Sequence, residues 1–97
     1  MASGAGVEEA AEIFKALSSP ARLEILHFLA QSDLTVTALV EATDLSQPLV
    51  SQHLKTLRLA RLVTASRTGR EVTYAIADHH IAHVVEDAIK HVLEEDL

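Results

Sequence analysis

Apolar residues return every three or four positions along most of this chain, and the period changes once. Val7, Ala10, Ile13, Phe14 and Leu17 share one face of a predicted first helix. Ser18-Ser19-Pro20 stops it and starts a second, with Ser19 as N-cap and Pro20 at the first helical position. The second helix is predicted to run to about Ala30, with Leu23, Ile25, Leu26, Phe28 and Leu29 mostly inward, before Ser32-Asp33 breaks it. Thr35 caps a short third helix, Val36 to about Thr43, with Leu39 and Val40 inward. After the tight link Asp44-Leu45, Ser46 caps a fourth helix from Gln47 to about Ala60. Pro48 is tolerated in its first turn, and Leu49, Val50, Leu54 and Leu57 form its expected apolar stripe.

The period then falls to two. Leu62 to Arg67 and Glu71 to Ile76 are β-rich, with Thr68-Gly69-Arg70 as a hairpin turn. Asp78 caps a long fifth helix to about Glu95. Four helices, a hairpin and a final helix make a mainly α fold with a β-hairpin wing. The third and fourth helices across a tight turn read as helix-turn-helix, with Ser46 to Ala60 entering a DNA major groove. Residues 1–6 are expected to be a disordered leader, and residues 7–97 one domain for DNA binding and dimerisation.

A chain of 97 residues that is 48% hydrophobic and 3% aromatic suits small, closely packed helices. A domain of this size often gains stability by oligomerising. With no cysteine, disulfides, redox switches and thiolate metal sites are excluded. No signal peptide or membrane-length apolar run is seen, so no membrane partner and a cytoplasmic location are expected.

The net charge of −6 by itself argues against nucleic acid, but the charges are segregated. From Ser46 to Arg70 the charged residues are Lys55, Arg58, Arg61, Arg67 and Arg70, with no acid among them. That stretch suits phosphates. On the fourth helix Ser46, Gln47, Ser51, Gln52 and His53 can exchange hydrogen bonds with base edges, while Lys55 and Arg58 supply charge. Arg67 and Arg70 flank Gly69 at the hairpin tip, where a wing would meet a DNA backbone or minor groove. The expected partner is double-stranded DNA.

The fifth helix is acidic and rich in histidine. Asp78 and His80 lie at its start, His91 and Glu94 near its end. His80 and His91 share a face to within about 20° but stand about 16 Å apart along the axis, too far for one ion. Packed antiparallel against its own copy, the helix brings His80 opposite His91 and Asp78 opposite Glu94 in one register. Symmetry then creates two identical four-ligand sites bridging a homodimer. Asp78, at the N-cap, can turn toward His80; His91 and Glu94 are neighbours at i, i+3. Two imidazoles and two carboxylates favour Zn(II), with Co(II) compatible, over soft ions that seek thiolates. His83, about 60° off that face, is either a neighbour or a fifth ligand suited to octahedral Ni(II) or Co(II). His79 reads as a surface histidine, and His27 as packed or partly exposed. No separate nucleophile accompanies the cluster, so a hydrolytic enzyme is not expected.

Ala16-Leu17-Ser18-Ser19-Pro20-Ala21-Arg22-Leu23-Glu24-Ile25-Leu26, Leu45 to Arg58 and Gly69 to Tyr74 together resemble the ArsR/SmtB metal-sensing repressors, over roughly Glu9 to Glu95. Asp78-His79-His80 with His91 and Glu94 resembles the zinc-sensing branch. The resemblance implies winged-helix homodimers that bind palindromic operators without metal and leave them when metal binds. It also implies that His91 donates its other ring N–H to a main-chain carbonyl near Arg61. The family's other sensing site uses cysteines in the third helix or the N-terminal arm. Thr35 stands where such a Cys would be, so that site is expected to be absent. A repressor of the same fold answering to Ni(II) or Co(II), or to no metal, is the alternative.

Overall fold

The computed structural model describes residues 4–94. Helices α1 (Val7–Leu17), α2 (Pro20–Leu29), α3 (Val36–Thr43), α4 (Gln47–Leu59) and α5 (His79–Glu94) accompany strands β1 (Leu34–Thr35), β2 (Val63–Thr68) and β3 (Glu71–Ile76). Residues 4–6 of the expected leader form the turn into α1, with Gly6 in the left-handed region at φ 79°. Residues 1–3 and the expected end of α5 at Glu95 lie outside the described residues.

Local chemistry sets the helix starts. The side chains of Ser19, Thr35 and Ser46 accept from the backbone N–H groups of Arg22, Ala38 and Leu49, and Asp78 Oδ1 accepts from Ile81 at 3.0 Å. Each satisfies a donor that the helix itself leaves open. The ends of α2 and α4 fall one residue earlier than expected, with Ala30 and Ala60 as C-caps.

The core is built around α2, which touches α1, α3, α4, α5 and β3. Ile25, Leu26 and Leu29 of α2 pack with Leu39, Val50, Leu54, Leu57, Leu62, Val63 and Val85, all buried. Two expectations are corrected by exposure. Leu49 is 45% exposed: Val50, Leu54 and Leu57 line the buried face of α4, and Leu49, about 100° round the helix from Val50, falls on its open side. Val7 and Phe14 of the α1 stripe face outward at 59% and 60% exposure.

The sheet has the order β1-β3-β2. The hairpin register runs from Val63↔Ile76 to Thr68↔Glu71, so Thr68 belongs to the strand and the turn is Gly69-Arg70 alone. Gly69 has φ 65°, matching a turn that requires Gly at its first central position. The two-residue β1, which the sequence pattern did not predict, pairs Leu34 with Tyr74 and Thr35 with Thr73.

Candidate functional site

The turn between α3 and α4 is fastened by side chain and backbone together. Thr43, 8% exposed, donates its Oγ1–H to Leu39 O at 2.7 Å and accepts from Leu45 N–H at 3.3 Å. Asp44 takes a left-handed φ of 60° and donates its N–H to Val40 O. Asp adopts this region more readily than most residues. These contacts fix the angle at which α4 leaves the turn.

On α4, Val50, Leu54 and Leu57 face inward and Ser46, Gln47, Ser51, Gln52, Lys55 and Arg58 are exposed. His53 lies half-buried at the flank. The Ser46 hydroxyl oxygen is engaged with Leu49 N–H at 3.3 Å, leaving its own O–H to donate elsewhere. The pattern of polar residues missed Leu49, whose exposed apolar side chain in the first turn of α4 is suited to contact a thymine methyl.

Helix α4 closes in a Schellman arrangement: Leu62 N–H donates to Leu57 O and Arg61 N–H to Arg58 O. Arg61 occupies the left-handed position at φ 62°, where Gly is usual. The chain is thereby turned directly into β2, and Arg67 and Arg70 are carried exposed to the tip of the wing. Among the described residues none of the five cations from Lys55 to Arg70 forms an ion pair within the chain. All five are available to phosphates.

At the other end of the fold, Asp78 Oδ1 and His80 Nδ1 lie 3.7 Å apart, with both side chains open to solvent. Two ligands each ~2.1 Å from a tetrahedral ion stand roughly 3.4 Å apart, so this spacing suits one ion. The His79 ring lies 4.1 Å from that of His80 and 6.2 Å edge-on from that of His83, gathering three imidazoles in the first turns of α5. His91 and Glu94 are exposed at the far end of the helix. Within one chain the described residues contain no group of three or more His, Asp or Glu able to hold an ion. His27 is half-buried and its Nδ1 meets Glu86 Oε1 at 2.7 Å, joining α2 to α5.

The profile for bacterial regulatory proteins of the arsR family matches residues 19–65. The chain is 48% identical over 89 residues to the HTH-type transcriptional repressor SmtB of Mycobacterium tuberculosis, covering 92% of this chain and 66% of the repressor. Among solved structures, Rv0081 of Mycobacterium tuberculosis superposes with a TM-score of 0.81 at 36% identity, covering 91% of this chain and 89% of that one. The chain belongs to the arsR family. The homodimeric winged helix-turn-helix DNA-binding domain of Mb0332 from Mycobacterium bovis also matches, with a TM-score of 0.81 at 32% identity over 97% of this chain and 85% of that one. ArsR-family proteins are DNA-binding regulators and not enzymes, which places this chain in the same class. Among the described residues no helix is long and apolar enough to cross a membrane.

Proposed function

We propose that this arsR-family chain is a metal-responsive transcriptional repressor that holds a palindromic operator as a homodimer and leaves it when Zn(II) binds between two α5 helices. The observation that carries the metal half is the convergence of Asp78 Oδ1 and His80 Nδ1 to 3.7 Å at the start of an exposed helix. The donor set fits zinc: Asp78 and His80 of one copy would hold it with His91 and Glu94 of a second. Bound there, zinc would supply a fixed link between the two chains.

Dimerisation through the terminal helices is supported by the apolar residues that a single chain leaves exposed on α1 and α5. These are Val7, Phe14, Val84, Val92 and Leu93. On DNA, Gln47, Ser51 and Gln52 read base edges from the major groove, helped by Leu49, while Ser46 and His53 contribute at its margins. Lys55, Arg58, Arg67 and Arg70 neutralise phosphates. Two recognition helices must stand about one DNA turn, ~34 Å, apart. Ligands that clamp α5 to α5 change that spacing, and linkage makes DNA and metal weaken each other equally, by roughly 1–3 kcal/mol.

A gel shift with the promoter fragment beside the gene tests this reading. The wild-type complex should dissolve on adding zinc, whereas His91→Ala should bind DNA and remain bound. A complex indifferent to zinc but dissolved by Ni(II) or Co(II) would favour a second reading, in which His83 joins the shell. The observation behind that alternative is the clustering of the His79, His80 and His83 rings.

A further inference from the structure

Helix α5 rests on the body through Ile81, Val85 and Ile89, one residue per turn, with Val85 fully buried and the other two partly so. An apolar seam resists separation, but the hydrophobic effect is non-directional and does little to oppose sliding or rolling. Among the described residues, a directional contact across this seam is the hydrogen bond between His27 on α2 and Glu86 on α5, whose side chains are 34% and 31% exposed.

The ring is oriented from its other side. Gln31 Nε2 lies 3.3 Å from His27 Nε2 and 3.3 Å from His27 O, so its amide donates to the ring. Nδ1 therefore carries the proton and donates it to Glu86. The need to neutralise a carboxylate does not explain this choice of partner. Lys90 stands one turn further along α5 in the favourable i, i+4 orientation and lines the same recess. Yet Glu86 pairs with His27, and the described ion pairs include no Glu86–Lys90 contact.

Glu86 also sits midway between the two ligand clusters, six residues after His80 and five before His91. On the other side of the bond, α2 packs directly on both α3 and α4. We propose that His27 and Glu86 are positioning residues that lock α5 to α2, so that a shift of α5 reaches the helix-turn-helix instead of being lost as sliding along the seam. The locking itself stands on the geometry; its use in regulation rests on the metal response proposed above.

The test compares wild type, Glu86→Ala and Glu86→Gln, with zinc alone as the probe. Three quantities are measured: amide hydrogen exchange along α5 without metal, zinc affinity without DNA, and the ratio of operator Kd with and without zinc. Glu86→Ala should speed exchange on α5 while leaving α3 and α4 protected, and should keep zinc affinity within about threefold of wild type. Its release ratio should fall from the roughly 5–150-fold usual for allosteric coupling to below about threefold. Glu86→Gln, which keeps an acceptor for Nδ1–H, should restore both exchange and ratio.

Wild-type exchange in Glu86→Ala overturns the lock, and a wild-type ratio despite faster exchange overturns its role in coupling. If wild type is not released by zinc while Glu86→Ala still loosens α5, the metal reading fails and the lock stands. Should Glu86→Ala not fold, His27→Phe keeps a ring but has no N–H to donate, removes the same bond from the α2 side and is judged by the same outcomes.

Discussion

Removing the two wing arginines should change how steeply DNA binding depends on salt, and the size of that change can be worked out in advance. Each chain of the proposed homodimer presents Lys55, Arg58, Arg61, Arg67 and Arg70 without internal ion pairs among the described residues. A homodimer thus offers ten cations, which sets the ceiling on phosphates neutralised. Each neutralised phosphate contributes about −0.9 to the slope of log K against log salt, so the wild-type slope can reach about −9. Arg67→Gln with Arg70→Gln removes four of the ten and should bring the slope to about −5.4. Between 50 and 200 mM salt, wild-type affinity would then fall by about 250,000-fold and the variant's by about 2,000-fold. Fluorescence anisotropy of a labelled operator at four or five salt concentrations measures both slopes. Because backbone contacts carry no sequence information, the loss at fixed salt should be similar on operator and on scrambled DNA. A variant slope within one unit of wild type would remove the wing from the interface and refute the reasoning.

Asp78→Asn separates the two jobs of Asp78: Asn caps as well as Asp, so the melting temperature should hold while zinc affinity falls by more than the roughly 10–100-fold typical of losing an outer-shell partner. Unchanged zinc affinity by direct titration would exclude Asp78 as a ligand. Mixing an Asp78→Ala/His80→Ala copy with a His91→Ala/Glu94→Ala copy should rebuild one intact site in each mixed dimer, about a quarter of wild-type zinc capacity after random exchange. No recovery would show that the clusters do not meet across the dimer. Arg61→Gly relieves a left-handed residue and should stabilise the fold by about 0.5 kcal/mol in urea unfolding, after the added unfolded-state freedom of Gly is subtracted; a lower midpoint would contradict the strain. Thr43→Val keeps volume but removes both hydrogen bonds of the helix-turn-helix turn, and should cost about 1–3 kcal/mol in the same assay. An unchanged midpoint would show that those bonds do not fasten it.

The parts of this fold that could be read in advance are those decided within a few residues. Ser19, Thr35, Ser46 and Asp78 were legible as caps because each side chain reaches a backbone N–H three positions ahead. The Gly69 turn was legible because its backbone conformation favours glycine. Leu49 was misassigned for the opposite reason. Adjacent leucine and valine fit two overlapping stripes, and only the packing of Val50 with Leu54 and Leu57 on α2 and α3 chooses between them. Strand β1 left no trace in the pattern because two residues show no period. It forms because β3 offers Leu34 and Thr35 an edge.

The candidate site divides along the same line, which explains why its two most telling relations differ in visibility. His27 and Glu86 belong to different elements 59 positions apart, and no spacing rule links them. Their meeting depends on how α5 lies on α2, which is known only once the fold is built. The expected pairing of Asp78 and His80 with His91 and Glu94 is also a contact between distant positions, yet it can be inferred from one helix. A helix packed antiparallel on its own copy meets the same string of residues in reverse, so both halves of every contact lie within sixteen or so residues of text. Self-association is thus the one long-range relation that a short segment can record. On that reading a single chain, in which Asp78 and His80 approach while the described residues gather no group of three or more ligands, would carry only half of the proposed site.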